Sequence, residues 1–112
     1  DKSGLKPHLS NGGNMATSEI WINYVRNRLV AHNDHTVTVF RVQHTYYKLI
    51  GSEKLQLCNR KTDGDFGLEV IFTFDLISYC NCKDGYLLTM ACERDGVIFN
   101  ISIHYSEIES VL

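Results

Sequence analysis

Four cysteines could form disulfides, bind a metal or take part in redox chemistry: Cys58, Cys80, Cys82 and Cys92. An even number permits two disulfides in a secreted domain, whereas structural zinc sites favour a Cys-x-x-Cys spacing that Cys80-x-Cys82 lacks. A hairpin that turns at residues 84–85 would set Cys80 opposite Thr89 and Cys82 opposite Leu87, on the face away from Cys92. We predict reduced, packed cysteines, with disulfides and metal or redox work as alternatives.

Histidines offer a second chemical grouping. His32 and His35 stand three apart, with His44 further along the chain, which is a metal-like composition. We expect a helix to end at Ala31, so this pair would lie in a turn rather than on a rigid face. A histidine beside a helix C-terminus is also favoured electrostatically without any ligand. No carboxylate or cysteine stands at a recognised ligand spacing, and we predict no metal site.

A nucleophile–base pair could combine Cys58 or Cys92 with His44 or His104. Nothing in the sequence supplies the third residue that would orient such a base. We therefore predict no catalytic residue and no cofactor, and we favour a non-enzymatic function.

Composition indicates one small globular domain. The chain has 112 residues, 44% of them hydrophobic and 21% charged, with a net charge of −2. No apolar run approaches the roughly 18 residues that a membrane-spanning helix requires. Residues 1–17 are predicted to be a flexible leader or a vector-derived remnant, with Met15 as an alternative natural start, and residues 18–112 a single domain.

Helical spacing characterises the first part of this domain. Ser18 is an N-cap candidate, and Glu19 follows where a carboxylate meets the positive end of the helix dipole. Apolar residues then recur on one stripe: Ile20, Trp21, Tyr24, Val25 and Leu29. The pattern predicts an amphipathic helix over residues 19–31.

From Thr36 the apolar period changes to two. Alternating runs predict strands at 36–42, 45–50, 54–60, 66–80, 86–92 and 97–105. Three Asp-Gly pairs, at 63–64, 84–85 and 95–96, predict tight hairpins, because a type I′ turn needs positive φ at both central residues. In the last strand we expect Val97, Phe99, Ile101 and Ile103 to point inward. Ser106-x-x-Glu109 resembles a capping box and leaves room for a short closing helix.

The predicted fold class is α+β: one N-terminal amphipathic helix packed on a twisted antiparallel meander of five or six strands. This layout resembles the cystatin-like fold. The inhibitory pattern of that family, a Gln-x-Val-x-Gly hairpin and a late Pro-Trp pair, is absent. The corresponding segment is Gln43-His44-Thr45-Tyr46-Tyr47, and the single tryptophan lies in the predicted helix.

Charge is distributed unevenly along the chain. Residues 1–40 carry a net charge of +1, residues 41–61 of +4 and residues 62–112 of −7. A bipolar surface suits self-association, such as a homodimer, or a charged protein partner. We therefore favour an interaction or regulatory module. Residues 41–61, which we call the basic–aromatic stretch, supply its candidate binding residues: Arg41, Tyr46, Tyr47, Lys48, Lys54, Arg60 and Lys61.

Two alternative functions remain at this point. One is a domain that binds single-stranded nucleic acid through residues 41–61, which combine cations with aromatic rings. The isoelectric point near 6.2 weighs against this, since dedicated nucleic-acid binders are usually basic. The other is a small ligand-binding cup or a cystatin-like domain. We expect an intracellular protein, cytoplasmic or nuclear, with secretion left open.

Overall fold

A computed structural model describes residues 15–61, 67–82 and 86–112. One helix, α1, is followed by strands β1 to β6, a 3-10 turn and a short strand β7. Their bounds are α1 Met15–Val30, β1 Val37–Val42, β2 Thr45–Ile50, β3 Lys54–Arg60, β4 Leu68–Cys82, β5 Leu87–Arg94, β6 Val97–His104, the 3-10 turn Tyr105–Glu107 and β7 Ser110–Val111.

The strands form one antiparallel sheet in the order β6-β5-β4-β3-β2-β1-β7. Only residues 105–109 separate β6 at one edge from β7 at the other. Since so short a segment spans at most about 20 Å, the sheet must curl to bring its edges toward each other. The core fills the concave side of this curl, which we call the inner face; the opposite side is the outer face.

The predicted fold class is therefore wrong. The described part of the chain is mostly β, with seven strands rather than a meander of five or six. No closing helix follows Ser106: the 3-10 turn gives way to β7, where Leu112 and Val39 exchange backbone hydrogen bonds of 2.7 and 3.3 Å. Ile108 and Val111 are both fully buried, so this segment buries its apolar side chains without forming a helix.

The helix also differs from its predicted role as the cover of the sheet. It begins at Met15, so Ser18 lies within it rather than at its cap. Its backbone approaches the 3-10 turn, and it reaches the strands through side chains such as Trp21, Val25 and Leu29, which join the core cluster. Of the predicted leader over residues 1–17, residues 15–17 lie within α1, and residues 1–14 lie outside those described.

Strand pairing confirms part of the predicted register. Cys80 pairs with Thr89 and Cys82 with Leu87, as the hairpin geometry predicts. The turn at Asp95 and Gly96 has φ of +55° and +79°, which matches the requirement of a type I′ hairpin. The predicted turns at residues 63–64 and 84–85 lie outside the described residues.

Buried apolar side chains come from every main element. On the inner face they include Phe40, Leu49, Leu55, Phe74 and Met90. Among the residues that the structure describes, the buried polar side chains are His32 and Thr38. Within the same residues, no helix has the length and apolar character to cross a membrane.

Candidate functional site

The basic–aromatic stretch forms part of the outer face of the sheet. Arg41 pairs with Tyr46 across β1 and β2, and Lys48 pairs with Gln56 across β2 and β3. Cross-strand partners share a face, and residues two apart on one strand do as well. The outer face therefore carries five of the seven candidate side chains: Arg41, Tyr46, Lys48, Lys54 and Arg60.

Tyr47 lies on the inner face instead. Its ring stacks on that of Phe40 with centroids 5.2 Å apart and planes 8° from parallel. Burial raises the pKa of the Tyr47 hydroxyl, and the nearby carboxylate of Glu107 raises it further. Lys61 follows β3, where its backbone N–H donates to the Gly67 carbonyl oxygen, 3.1 Å away. The structure thus separates Tyr47 from the other candidate residues.

Acidic side chains from the later part of the chain partly neutralise this face. The Lys54 ammonium binds the carboxylate of Asp75 on β4, and Arg41 Nε lies 3.6 Å from Glu109 Oε2. Within the described residues, Lys48 and Arg60 form no such ion pair. Pairing β3 with β4 places a basic strand beside an acidic segment, so charges that are segregated along the sequence are mixed on the surface.

A second surface lies where β4, β5 and β6 extend beyond the helix. Phe72, Arg94, Val97 and Phe99 form what we call the distal patch. The Phe99 ring meets Phe74 edge-to-face at 5.7 Å, and the Arg94 guanidinium lies 4.7 Å from the Phe72 ring centroid. Phe72, Phe99 and Val97 are 41%, 44% and 53% exposed. The distal patch is therefore in contact with the hydrophobic core and partly exposed to solvent.

Sequence reasoning missed the distal patch, because Val97 and Phe99 were expected to point into the core. They do occupy the inner face, but nothing covers that end in the described part of the chain. A length comparison could have indicated this. The fifteen residues of β4 extend for about 50 Å, whereas the sixteen residues of α1 are about 24 Å long.

The distal patch adjoins an edge strand. β6 pairs with β5 on one side and is the last strand in the sheet order. Its first four residues, including Ile98 at 62%, are all exposed. A long exposed edge with apolar side chains is a template for pairing with another strand.

Comparisons of this chain with protein-family models, curated proteins and solved structures give no match.

The structure describes the side chains of three of the four cysteines: Cys58, Cys80 and Cys92. Cys58 and Cys92 are free and buried, as predicted, whereas Cys80 is exposed, so the prediction of a packed side chain is wrong for Cys80. Burial raises the pKa of the Cys58 and Cys92 thiols, which favours the less nucleophilic neutral form. Among the described residues, no group of three or more metal-ligating side chains comes together.

One cleft lies between the end of the helix and the sheet. It has a volume of about 80 Å³ and is lined by Leu29, Val30, Tyr79, Cys80, Leu88 and Tyr105. Sites for small organic ligands typically have about 300 Å³ or more. This cleft therefore gives the ligand-cup alternative no support.

Proposed function

We propose that this chain is a non-enzymatic protein-interaction module that binds its partner through the distal patch and the β6 edge. The observation that supports this most directly is the exposure of Phe72, Val97 and Phe99 next to an edge strand. Contiguous exposed apolar side chains on a small domain mark interaction surfaces.

The aromatic side chains can supply much of the binding free energy. A phenylalanine buries about 150–250 Å² when fully covered, and Phe72 and Phe99 each leave somewhat less than half of their surface exposed. At about 25 cal/mol per Å², covering that remainder contributes about 2 kcal/mol for each ring. Arg94, stacked on Phe72, adds the cation–aromatic pairing that is frequent in interface hot spots.

The edge strand supplies orientation and backbone hydrogen bonds. In strand addition, an extended segment of the partner pairs with an exposed edge, and adjoining pockets or patches select its side chains. The distal patch lies on the inner face of the strands that lead to this edge, so one partner segment could contact both features.

A photo-crosslinking experiment tests this proposal. A benzophenone amino acid replaces Ile98 in one variant and Ile20, on the helix, in a control. These isoleucines are matched in type and exposure, at 62% and 61%. After irradiation in cells that express the full chain, we expect protein adducts at position 98 and few at position 20. Equal yields at both positions, or no adduct at position 98, would overturn the proposal.

A second candidate function is binding of single-stranded nucleic acid by the outer face. It is favoured by the position of Tyr46 among Arg41, Lys48 and Arg60, because an aromatic ring flanked by cations on a sheet is a stacking platform. The ion pairs of Arg41 and Lys54 with carboxylates weaken it.

Fluorescence anisotropy with a labelled single-stranded oligonucleotide tests this candidate. Binding at about 50 mM salt should weaken steeply as salt rises. Tyr46→Ala should reduce affinity by about 5- to 100-fold, whereas Tyr86→Ala, a change of an exposed tyrosine near β5, should not. No binding at about 50 mM salt would exclude this function.

A further inference from the structure

We propose that the partner at the β6 edge is a second copy of this chain, with the two β6 strands paired antiparallel about Asn100 into one continuous sheet. This inference rests on the proposed function and names its partner.

The backbone of β6 has the hydrogen-bonding groups for this pairing. Arg94 and Val97 close the two-residue turn from β5, so the backbone groups of Val97 and of every second residue after it point toward β5. Tyr105, an even number of residues after Val97, also points toward the preceding strand: its N–H donates to the Tyr86 carbonyl oxygen at 3.0 Å. Ile98, Asn100 and Ser102 therefore direct their N–H and C=O groups away from the sheet.

Two-fold symmetry restricts the register. Identical antiparallel strands are related by an axis perpendicular to the sheet, so residues that face each other must belong to the same face. The axis can then pass through Phe99, Asn100 or Ile101. Centring on Asn100 sets Phe99 of one copy opposite Ile101 of the other, and Val97 opposite Ile103, so every inner-face pair is apolar.

Charge favours the Asn100 register over its neighbours. No charged side chain lies between Val97 and Ile103, so self-pairing brings no like charges together along the strand. Centring on Ile101 would bring the Asp95 turn toward Glu107 of the second copy, and centring on Phe99 would shorten the paired segment. Centring on Asn100 keeps the full strand paired and places the Asp95 turn beside His104 instead.

Self-pairing also covers two of the exposed side chains that motivate the proposed function. Val97 and Phe99 each gain an isoleucine neighbour from the other copy, and Asn100 to Asn100 and Ile98 to Ser102 pairing adds about six backbone hydrogen bonds. The edge carries neither lysine nor proline, the residues that commonly prevent such association.

Light scattering with size-exclusion chromatography at rising protein concentration provides the first test. The mass should increase from 12.8 kDa toward twice that value. Asn100→Pro should keep the chain monomeric, because proline lacks the outward N–H yet is tolerated on a strand edge, and Asn100→Ala should still dimerise. Circular dichroism checks that the proline variant is folded. A dimer that persists in a folded proline variant would overturn the pairing.

Cysteine crosslinking tests the register without relying on the proline variant. In a background of Cys80→Ser and Cys82→Ser, Asn100→Cys should form a reducible covalent dimer under mild oxidation, because residues opposed at the axis lie about 5.5 Å apart. Ile98→Cys alone should not, since its copies lie four residues apart in register. Efficient crosslinking at position 98 but not 100 would overturn the register.

The two proposals fail separately. If the chain stays monomeric at every concentration while position 98 crosslinks to a different protein, the self-pairing is wrong and the interaction module stands. If position 98 gives no adduct of any kind and the chain stays monomeric, both are wrong.

Discussion

The Trp21 indole Nε1–H donates a hydrogen bond to the backbone carbonyl oxygen of Ile108, 2.9 Å away and 87 residues later in the chain. Both residues are buried. The bond connects the helix to the short segment between β6 and β7. This segment leads into β7, and the pairing of β7 with β1 stabilises the curled shape of the sheet. One side-chain contact thus links α1 to the segment that leads into β7.

Trp21→Phe should lower the free energy of unfolding by about 2–3 kcal/mol. The substitution leaves the Ile108 carbonyl without its buried donor and removes part of the ring volume. Urea unfolding followed by far-UV circular dichroism measures this, since Trp21 is the only tryptophan and its fluorescence is lost. Ile20→Ala, at a 61% exposed position of the same helix, should change stability by less than about 0.5 kcal/mol. Equal effects would contradict a structural role for the bond.

The periodicities in the sequence identified most strands but not how the chain closes. β7 has two residues, which is too short for a period of two to be recognised. The capping-box pattern at Ser106 indicated a helix there, but pairing with β1 buries Val111 and prevails over local propensity. The seventh strand depends on contacts across the whole chain, which local patterns do not contain.

His32 joins three elements at the end of the helix. Its Nε2–H donates to the Gly51 carbonyl oxygen at 2.8 Å, and its Nδ1 lies 2.7 Å from Thr38 Oγ1. His32→Phe should destabilise the fold by about 2–4 kcal/mol, because two buried polar groups lose their partner. His35→Phe, at an exposed position in the same loop, is the control and should have little effect.

A double-mutant cycle separates the His32–Thr38 bond from packing. Thr38→Val alone should cost about 1 kcal/mol, and the coupling with His32→Phe should also be about 1 kcal/mol. Denaturant midpoints of the four proteins give the coupling. Strict additivity would show that the two side chains act independently.

Gly51 and Gly96 form a matched pair of positions. Comparing them separates the cost of a positive φ from the cost of a steric clash at an added Cβ atom. Both have positive φ, +54° and +79°. A Cβ on Gly51 would lie 2.8 Å from the Asp34 carbonyl oxygen, whereas a Cβ on Gly96 meets nothing within 4 Å. Gly96→Ala should therefore cost about 1 kcal/mol, and Gly51→Ala at least about 1–3 kcal/mol more. Thermal unfolding of both variants measures the difference, and similar costs would show that the loop at Asp34 yields to the methyl group.

The outer face of the sheet followed more directly from the sequence than the distal patch did. Alternation in β3 correctly separates Lys54, Gln56 and Cys58 from Leu55 and Leu57. In β4, however, the pairing shifts so that Leu57 faces Phe72 and Cys58 faces Val70. This bulge places Val70 on the outer face, whereas uninterrupted alternation would place it on the inner face with Phe72. A bulge leaves no mark in a pattern of apolar residues, since Ile71 is itself apolar.

The buried thiols predict an alkaline limit to stability. Burial raises the pKa of Cys92 above its usual value of 9.0, and burial raises that of Cys58 as well, although the Lys48 ammonium counteracts part of the effect. In the unfolded chain these thiols ionise at their ordinary values. Their contribution is therefore fully present below about pH 9 and is lost as the pH rises toward the folded-state pKa values. Tyr47 and Tyr79, with usual values of 10.0 that burial also raises, add to the loss at higher pH.

Lys48→Met tests how much of this loss of stability at alkaline pH is due to Cys58. Without the ammonium, the pKa of the Cys58 thiol should rise further, so the unfolding free energy should fall more steeply between about pH 8.5 and pH 10 than in the parent protein. Urea midpoints across that range measure the slope. In a Cys58→Ala background, Lys48→Met should leave the slope unchanged, because no thiol remains for the ammonium to influence. A steeper slope in that background as well would assign the effect to another group, and an unaltered slope in the single variant would show that Lys48 and Cys58 do not interact.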